Sequence, residues 1–250
     1  MKNIRLYNTI MGVLHAVQGI VILVLSTDFK LPVTTSYLQF DPEIQELAPE
    51  IRHFFDLQIG IFVAIFLFLS AVAHLLLSMP KIYEWYIKNL KNGINPARWI
   101  EYSLSSSLMI VLIAMLVGVY DFSALILLFS INAMMIFCGW IMEVHNQTTK
   151  KTNWISYIFG CFAGIVPWVV VALYLFGSGE GEFRAPDFVY WIFFSIFVFF
   201  NTFTINMLLQ YKKVGKWKDY IFGEKMYILL SLLAKSALAW QIFAGTLRPV

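Results

Sequence analysis

Seven apolar stretches, at 6–26, 53–79, 96–119, 121–144, 153–176, 187–210 and 221–247, are each long enough to cross a bilayer, and no other feature constrains this chain as strongly. About 30 Å of hydrocarbon takes roughly 20 helical residues at 1.5 Å each. Inside it every backbone N–H and C=O needs a partner within the protein, which an α-helix provides residue by residue. The expected fold is therefore an all-α membrane protein of seven transmembrane helices, forming one domain over residues 1–250. Composition agrees, since 13% of the residues are charged against roughly 25% in soluble domains. The net charge of +3 is too small to point to nucleic acid. Lys2 and Arg5 precede the first run as in a signal peptide. That run is long and no small-residue cleavage site follows, so it is expected to stay as a span. Cys138 and Cys161 fall inside apolar segments and read as free, packed thiols.

The only long connection, 26–52, contains Val33, Thr34, Thr35, Tyr37 and Phe40, a pattern that predicts a short β-hairpin outside the bilayer. Residues 177–182 read as a flexible acidic loop. Lysines and arginines concentrate in the loops on the side of the N-terminus, among them Lys81, Lys88, Lys91, Lys150, Lys151, Lys212, Lys213, Lys216 and Lys218. Such loops favour the cytoplasm, so the N-terminus is expected inside and the C-terminus outside.

One lysine, Lys235, lies in the middle of the seventh apolar stretch. An ammonium at that depth costs roughly 2.5–3.5 kcal/mol on insertion scales. A carboxylate partner, a neutral amine or covalent conversion to an imine would each offset the cost, and composition does not choose among them. Other polar groups also fall at membrane depth. His15 and Gln18 share a face of the first span, and His74 lies in the second. Arg98, Glu101 and Ser105 share a face of the third, Asn132 and Asn201 mark the fourth and sixth, and Ser231 precedes Lys235 by one turn. Simpler roles exist for each: Glu101 could pair with Arg98, the histidines could bridge helices, and the serines and Asn132 could bond between helices. The Gly160-x-x-x-Gly164 spacing reads as close helix packing. Helix direction places Glu101, His15 and His74 in the same half of the membrane, between Lys235 and the N-terminal side. No carboxylate or histidine matches them in the other half. A polar path that stops at a central lysine is poorly suited to transport. A proton or ion transporter and a ligand-gated seven-helix receptor are two classes that such buried polar groups could serve.

A lysine in the last of seven helices with a carboxylate in the third resembles retinal proteins. Three longer segments are more specific. They are Glu101-Tyr102-Ser103-Leu104-Ser105-Ser106-Ser107, Gly160-Cys161-Phe162-Ala163-Gly164-Ile165-Val166-Pro167-Trp168 and Ser231-Leu232-Leu233-Ala234-Lys235-Ser236-Ala237-Leu238-Ala239-Trp240. All three closely resemble heliorhodopsins, and the resemblance covers essentially the whole chain. It implies all-trans retinal bound covalently to Lys235 as a Schiff base, Glu101 as counterion and Ser231 nearby. It further implies Tyr102, Ser105, Asn132, Met135, Ile136, Phe200 and Trp240 around the polyene, and a proton-accepting polar network of His15, Gln18 and His74. The expected protein is a photoreceptor with a slow photocycle, non-enzymatic and without a metal. Its partners would be the lipid bilayer, a second copy in a homodimer and a cytoplasmic signalling protein, with no nucleic acid.

Overall fold

The computed structural model describes residues 3–177, 179 and 184–249. Most of the acidic loop expected at 177–182, and Lys2, fall outside them. The chain runs α1 (Ile4–Leu25), β1 (Lys30–Asp41), β2 (Glu46–Gln58), α2 (Ile59–Leu77), α3 (Pro80–Lys91), α4 (Pro96–Leu116), α5 (Phe122–His145), α6 (Ile155–Gly177), α7 (Asp187–Tyr211) and α8 (Tyr220–Ile242). A π-helical turn, Phe243–Leu247, extends α8. Among the described residues, seven helices are long and apolar enough to cross a membrane; all but α3 qualify. This is a multi-pass membrane protein.

The hairpin is present but is longer than a short one, with strands of 12 and 13 residues. Its second strand takes the residues 53–58 that apolar content assigns to the second span, so α2 begins at Ile59. The reason is pairing. Val33 lies opposite Phe55 and Leu31 opposite Leu57, so the antiparallel ladder satisfies this backbone up to the start of α2. Hydropathy alone cannot separate such a strand from a helix start. At its root the hairpin enters the core through buried Val33 and Leu57. Backbone bonds from Thr27 to Leu247 (2.8 Å) and Thr34 to Tyr120 (2.9 Å) fasten it across the ends of α8 and α4.

Helix α3 is an element that a search for spans passes over, being short and charged. Pro80 opens it, and Lys88 and Lys91 in its last turn favour the helix dipole. Its apolar face buries Tyr86 and Leu90 against Ile4 and Leu77. Elsewhere boundaries differ from the apolar stretches by a few residues, as fraying ends do.

Two faces of the bundle result. The ends of α1, α2, α4, α5 and α8 meet at an N-terminal face, where Arg5 donates to the Ser78 carbonyl and Tyr7 to that of Lys225. The hairpin caps the opposite face. Toward it the core is aliphatic, with Ile22, Ile59, Val63, Ile110, Leu112, Ile113, Met115 and Ile242 fully buried. Close helix contact depends on small residues. Gly160 abuts Cys138 and Gly164 abuts Met135, so the spaced glycines of α6 pack on α5 of the same chain.

Candidate functional site

Along α8, Glu224, Ser231 and Lys235 recur at helical spacing and share the inward face. Lys235 is 3% exposed. Its Nζ donates to Ser231 Oγ at 2.8 Å and lies 3.2 Å from Glu101 Oε1. It also stands 5.1 Å from the centre of the Tyr102 ring. Ser70, on α2, donates to the same Glu101 oxygen at 2.6 Å. The lysine's ion-pair partner is thus Glu101, and Arg98 has other partners. A buried charge pair persists when its remaining valences are also bonded, and Ser70 and Ser231 supply such bonds. Ser105 lies one turn beyond Glu101, with its hydroxyl fully buried on that side of α4.

The histidines form a stacked pair. The rings of His15 and His74 are 5.8 Å apart and nearly parallel. His74 Nδ1 is 2.7 Å from Asn8 Oδ1, while Asn8 Nδ2 donates to the Ile4 carbonyl at 2.9 Å. With the amide so oriented, Asn8 can only accept, which assigns the proton to His74 Nδ1. Both ring nitrogens of His15 are buried without a partner among the described residues. Gln18 stands apart from this pair. It accepts from the Trp240 indole at 3.0 Å and donates to Leu14, tying α1 to α8.

Two cavities meet at the Lys235–Glu101 pair. The larger, about 1120 Å³ with its open mouth, has Lys235 as the only charged group in its wall among the described residues. Ser231 and the aromatic groups of Trp99, Tyr102, Tyr157, Trp168, Phe200, Phe203 and Tyr227 line it, with Met135 and Ile136 of α5. Its glycines are spacers. A Cβ at Gly139 would strike the Trp99 ring, and one at Gly164 would strike Met135. The smaller cavity, about 350 Å³, is lined by Asn8, His74, Tyr86, Asn95, Arg98, Glu101 and Glu224, and Tyr102 borders both. Three residues expected around the polyene stand away from the larger cavity's wall. Ser105 faces the Glu101 side of α4, and Asn132 donates to Ser106 and Ser107. Trp240, 39% exposed, packs on Phe243. Asn201 lines the cavity yet is exposed on α7 and bonds its own helix at Phe197.

A second charge cluster closes the N-terminal end. Arg98 on α4 bridges Glu143 on α5 and Glu224 on α8, and all three are buried. The guanidinium also lies 3.9 Å from the Tyr227 ring centre and 4.3 Å from that of Trp99. Asn95 caps α4 by accepting from Arg98 N, and its own amides bond both carboxylates. Burial, with Glu224 nearby, raises the phenol of Tyr86 on α3 above the usual tyrosine range. Reading the sequence for isolated charges in apolar runs misses Glu143 and Glu224, because each lies near a helix end where a charge reads as interfacial. The available signal was the shared face: Glu224 precedes Ser231 by seven residues, and Glu143 follows Asn132 by eleven. Asn8 and Ser70 were detectable in the same way, at helical spacing from His15 and His74.

A family model described as Heliorhodopsin matches residues 4–247. No curated protein matches the sequence. Among solved structures, a light-driven proton pump from Leptosphaeria maculans superposes with a TM-score of 0.66 at 13% identity, over 98% of this chain and 96% of that one. The transmembrane domain and linker region of a Salpingoeca rosetta rhodopsin phosphodiesterase gives a TM-score of 0.68 at 11% identity, over 98% of this chain and 71% of that one. At these identities the two structures establish a shared fold.

Proposed function

The chain belongs to the heliorhodopsin family, and on that premise we propose that it is a light sensor carrying all-trans retinal on Lys235, with Glu101 as counterion. The observation that carries this reading is a buried amine, 3.2 Å from a buried carboxylate, in the wall of a large aromatic cavity. The lining fits the group. A long apolar aldehyde needs apolar walls and one nucleophilic amine, and Lys235 is the only charge there among the described residues. Bound retinal supplies absorption of visible light and a change of shape on isomerisation. Met135, Ile136, Trp168 and Phe200 would hold it in the cavity, and Tyr102 lies beside the amine. Glu101 stabilises positive charge at the Lys235 nitrogen, and Ser70 holds Glu101 in place. His15 and His74 lie on the counterion's side and are the proposed acceptors for a proton leaving that nitrogen.

In this reading residues 1–250 form one domain, with the N-terminal face in the cytoplasm, as the lysine-rich loops favour. The polar groups stop at Lys235, which supports slow signalling to a cytoplasmic partner rather than ion pumping and a non-enzymatic role, and the active form is a homodimer. The deciding experiment is the absorption spectrum of the purified protein with retinal, before and after hydroxylamine, beside Lys235→Ala. A visible band that hydroxylamine bleaches and the substitution abolishes is the expected result. An unchanged band in Lys235→Ala would remove the attachment site. A sustained light-driven pH change in unbuffered cells, abolished by an uncoupler, would favour a proton or ion transporter.

A further inference from the structure

The two carboxylates on Arg98 are held unequally. Glu143 accepts from four donors: Arg98, the Asn95 backbone N–H at 3.0 Å, the Trp99 indole and the Tyr220 hydroxyl at 3.1 Å. Glu224 accepts from two, Arg98 and the Asn95 side-chain amide at 2.7 Å. An ionised carboxylate offers about four acceptor sites. Glu143 is therefore saturated as an anion, whereas Glu224 keeps capacity free. Only Glu224 of the two lines the smaller cavity, which it shares with Glu101 and His74. Arg98 lines it as well, and its Nε–H is buried with no partner among the described residues. The cavity has room for a water or two between these polar groups.

Charge counting gives the next step. Lys235 balances Glu101, and Arg98 balances Glu143, so an ionised Glu224 would add an uncompensated charge to a fully buried site. Burying an unpaired ion is costly, and a protein avoids that cost by neutralising the group. The other titratable groups facing Glu224 are Tyr86 from α3, Tyr102 from α4, Tyr220 and Tyr227 from α8, and His74 across the cavity. The four tyrosines bring no positive charge.

We propose that Glu224 is protonated in the resting protein and is a proton store that exchanges with Glu101 through the smaller cavity. In the transfer the O–H bond at Glu224 breaks, water in the cavity relays the proton, and an O–H bond forms at Glu101. Glu224 is left as a carboxylate paired with Arg98, and no oxidant or other reactant is needed. The protonated resting state stands without any chromophore, whereas the exchange in light rests on the photoreceptor reading.

Infrared spectra of the full chain without retinal, labelled with 13C-glutamate at neutral pH, test the resting state. A protonated-carboxyl C=O band is expected that persists in Glu143→Gln and is lost in Glu224→Gln. No such band in the unsubstituted protein, or one that survives Glu224→Gln, overturns the proposal. If Glu224→Gln does not fold, Glu224→Asp serves: the labelled band must vanish or move, and an unchanged band overturns it. Light-minus-dark spectra of the retinal-loaded protein then test the exchange, for which illumination must deplete the Glu224 band. A coloured protein whose band ignores light overturns the exchange alone, and a colourless protein overturns the photoreceptor reading alone.

Discussion

Between Lys235 and the N-terminal face, the buried groups include Arg98, Glu143, Glu224, Glu101, His15, His74, Asn8 and Asn95. Between Lys235 and the hairpin, the equally buried groups are Ile22, Ile110, Leu112, Ile113, Ala114, Met115 and Ile242. The same seven helices thus build a half rich in buried charge and hydrogen bonds and a half held mainly by van der Waals contact, with isolated ties such as Ser195–Gln241 and Trp240–Gln18. Lipid tails are as apolar as an aliphatic core, so contact in the second half gains close packing and little else. In the first half geometry is fixed by direction, since each bond requires its partner at one distance and angle. A disturbance at Lys235 therefore has polar, proton-carrying neighbours on one side only.

The largest test of this contrast is Arg98→Ala. Removing the guanidinium strands the buried Glu143 carboxylate and takes a donor from Glu224, and is expected to cost about 3–5 kcal/mol of stability, read as a lowered thermal midpoint in detergent. An unchanged midpoint would mean that the cluster is not structurally important. Leu112→Ala, in the aliphatic half, should cost less, about 2–3 kcal/mol, because the loss is mainly packing around a new cavity. With retinal bound, it should leave the visible band in place, and a large spectral shift would break the division between halves. Glu101→Gln reverses that pattern, changing colour more than stability. Losing negative charge beside a cationic nitrogen lowers the excitation gap, so the band should move to the red, and no shift would remove Glu101 as counterion. The smallest effect is expected outside both halves. Asp28 lies 2.8 Å from Lys30 and raises that lysine's pKa through their hydrogen bond and charge attraction. A raised lysine stabilises below its ordinary range and loses that contribution as pH rises through its folded value. The pair is solvent-exposed, so Asp28→Asn should lower the neutral-pH midpoint at most slightly, and that small difference should vanish in alkali, where Lys30 loses its charge.

Span number and the pairing of Lys235 with Glu101 were legible because both depend on extremes. Long apolar runs have few alternatives in a bilayer, and a lone lysine within one demands a partner. What was less legible depended on partners distant in sequence. The strand at 53–58 is set by residues 30–33 opposite it. Glu143 and Glu224 are marked as interior by an arginine on another helix, and within their own helices only the face shared with Asn132 and Ser231 sets them apart from interfacial charges. Trp240 donates to Gln18 on α1, a partner 222 positions away in the sequence.

The bridge from Arg98 to Glu224 spans 126 positions of sequence, and that separation has a consequence for how the molecule is made. Helices enter the membrane in order of synthesis, so α4 and α5 are inserted while α8 is still to be synthesised. Arg98 and Glu143 can pair early, but Glu101 must wait for Lys235 and Asn95 for Glu224. The last helix arrives carrying the two groups that complete both clusters, and its own ionisable residues become tolerable only on finding them. Assembly is then checked at its final step: a chain stopped before α8 would display unmet charge within the bilayer, the kind of defect by which membrane quality control distinguishes an unfinished bundle from a finished one.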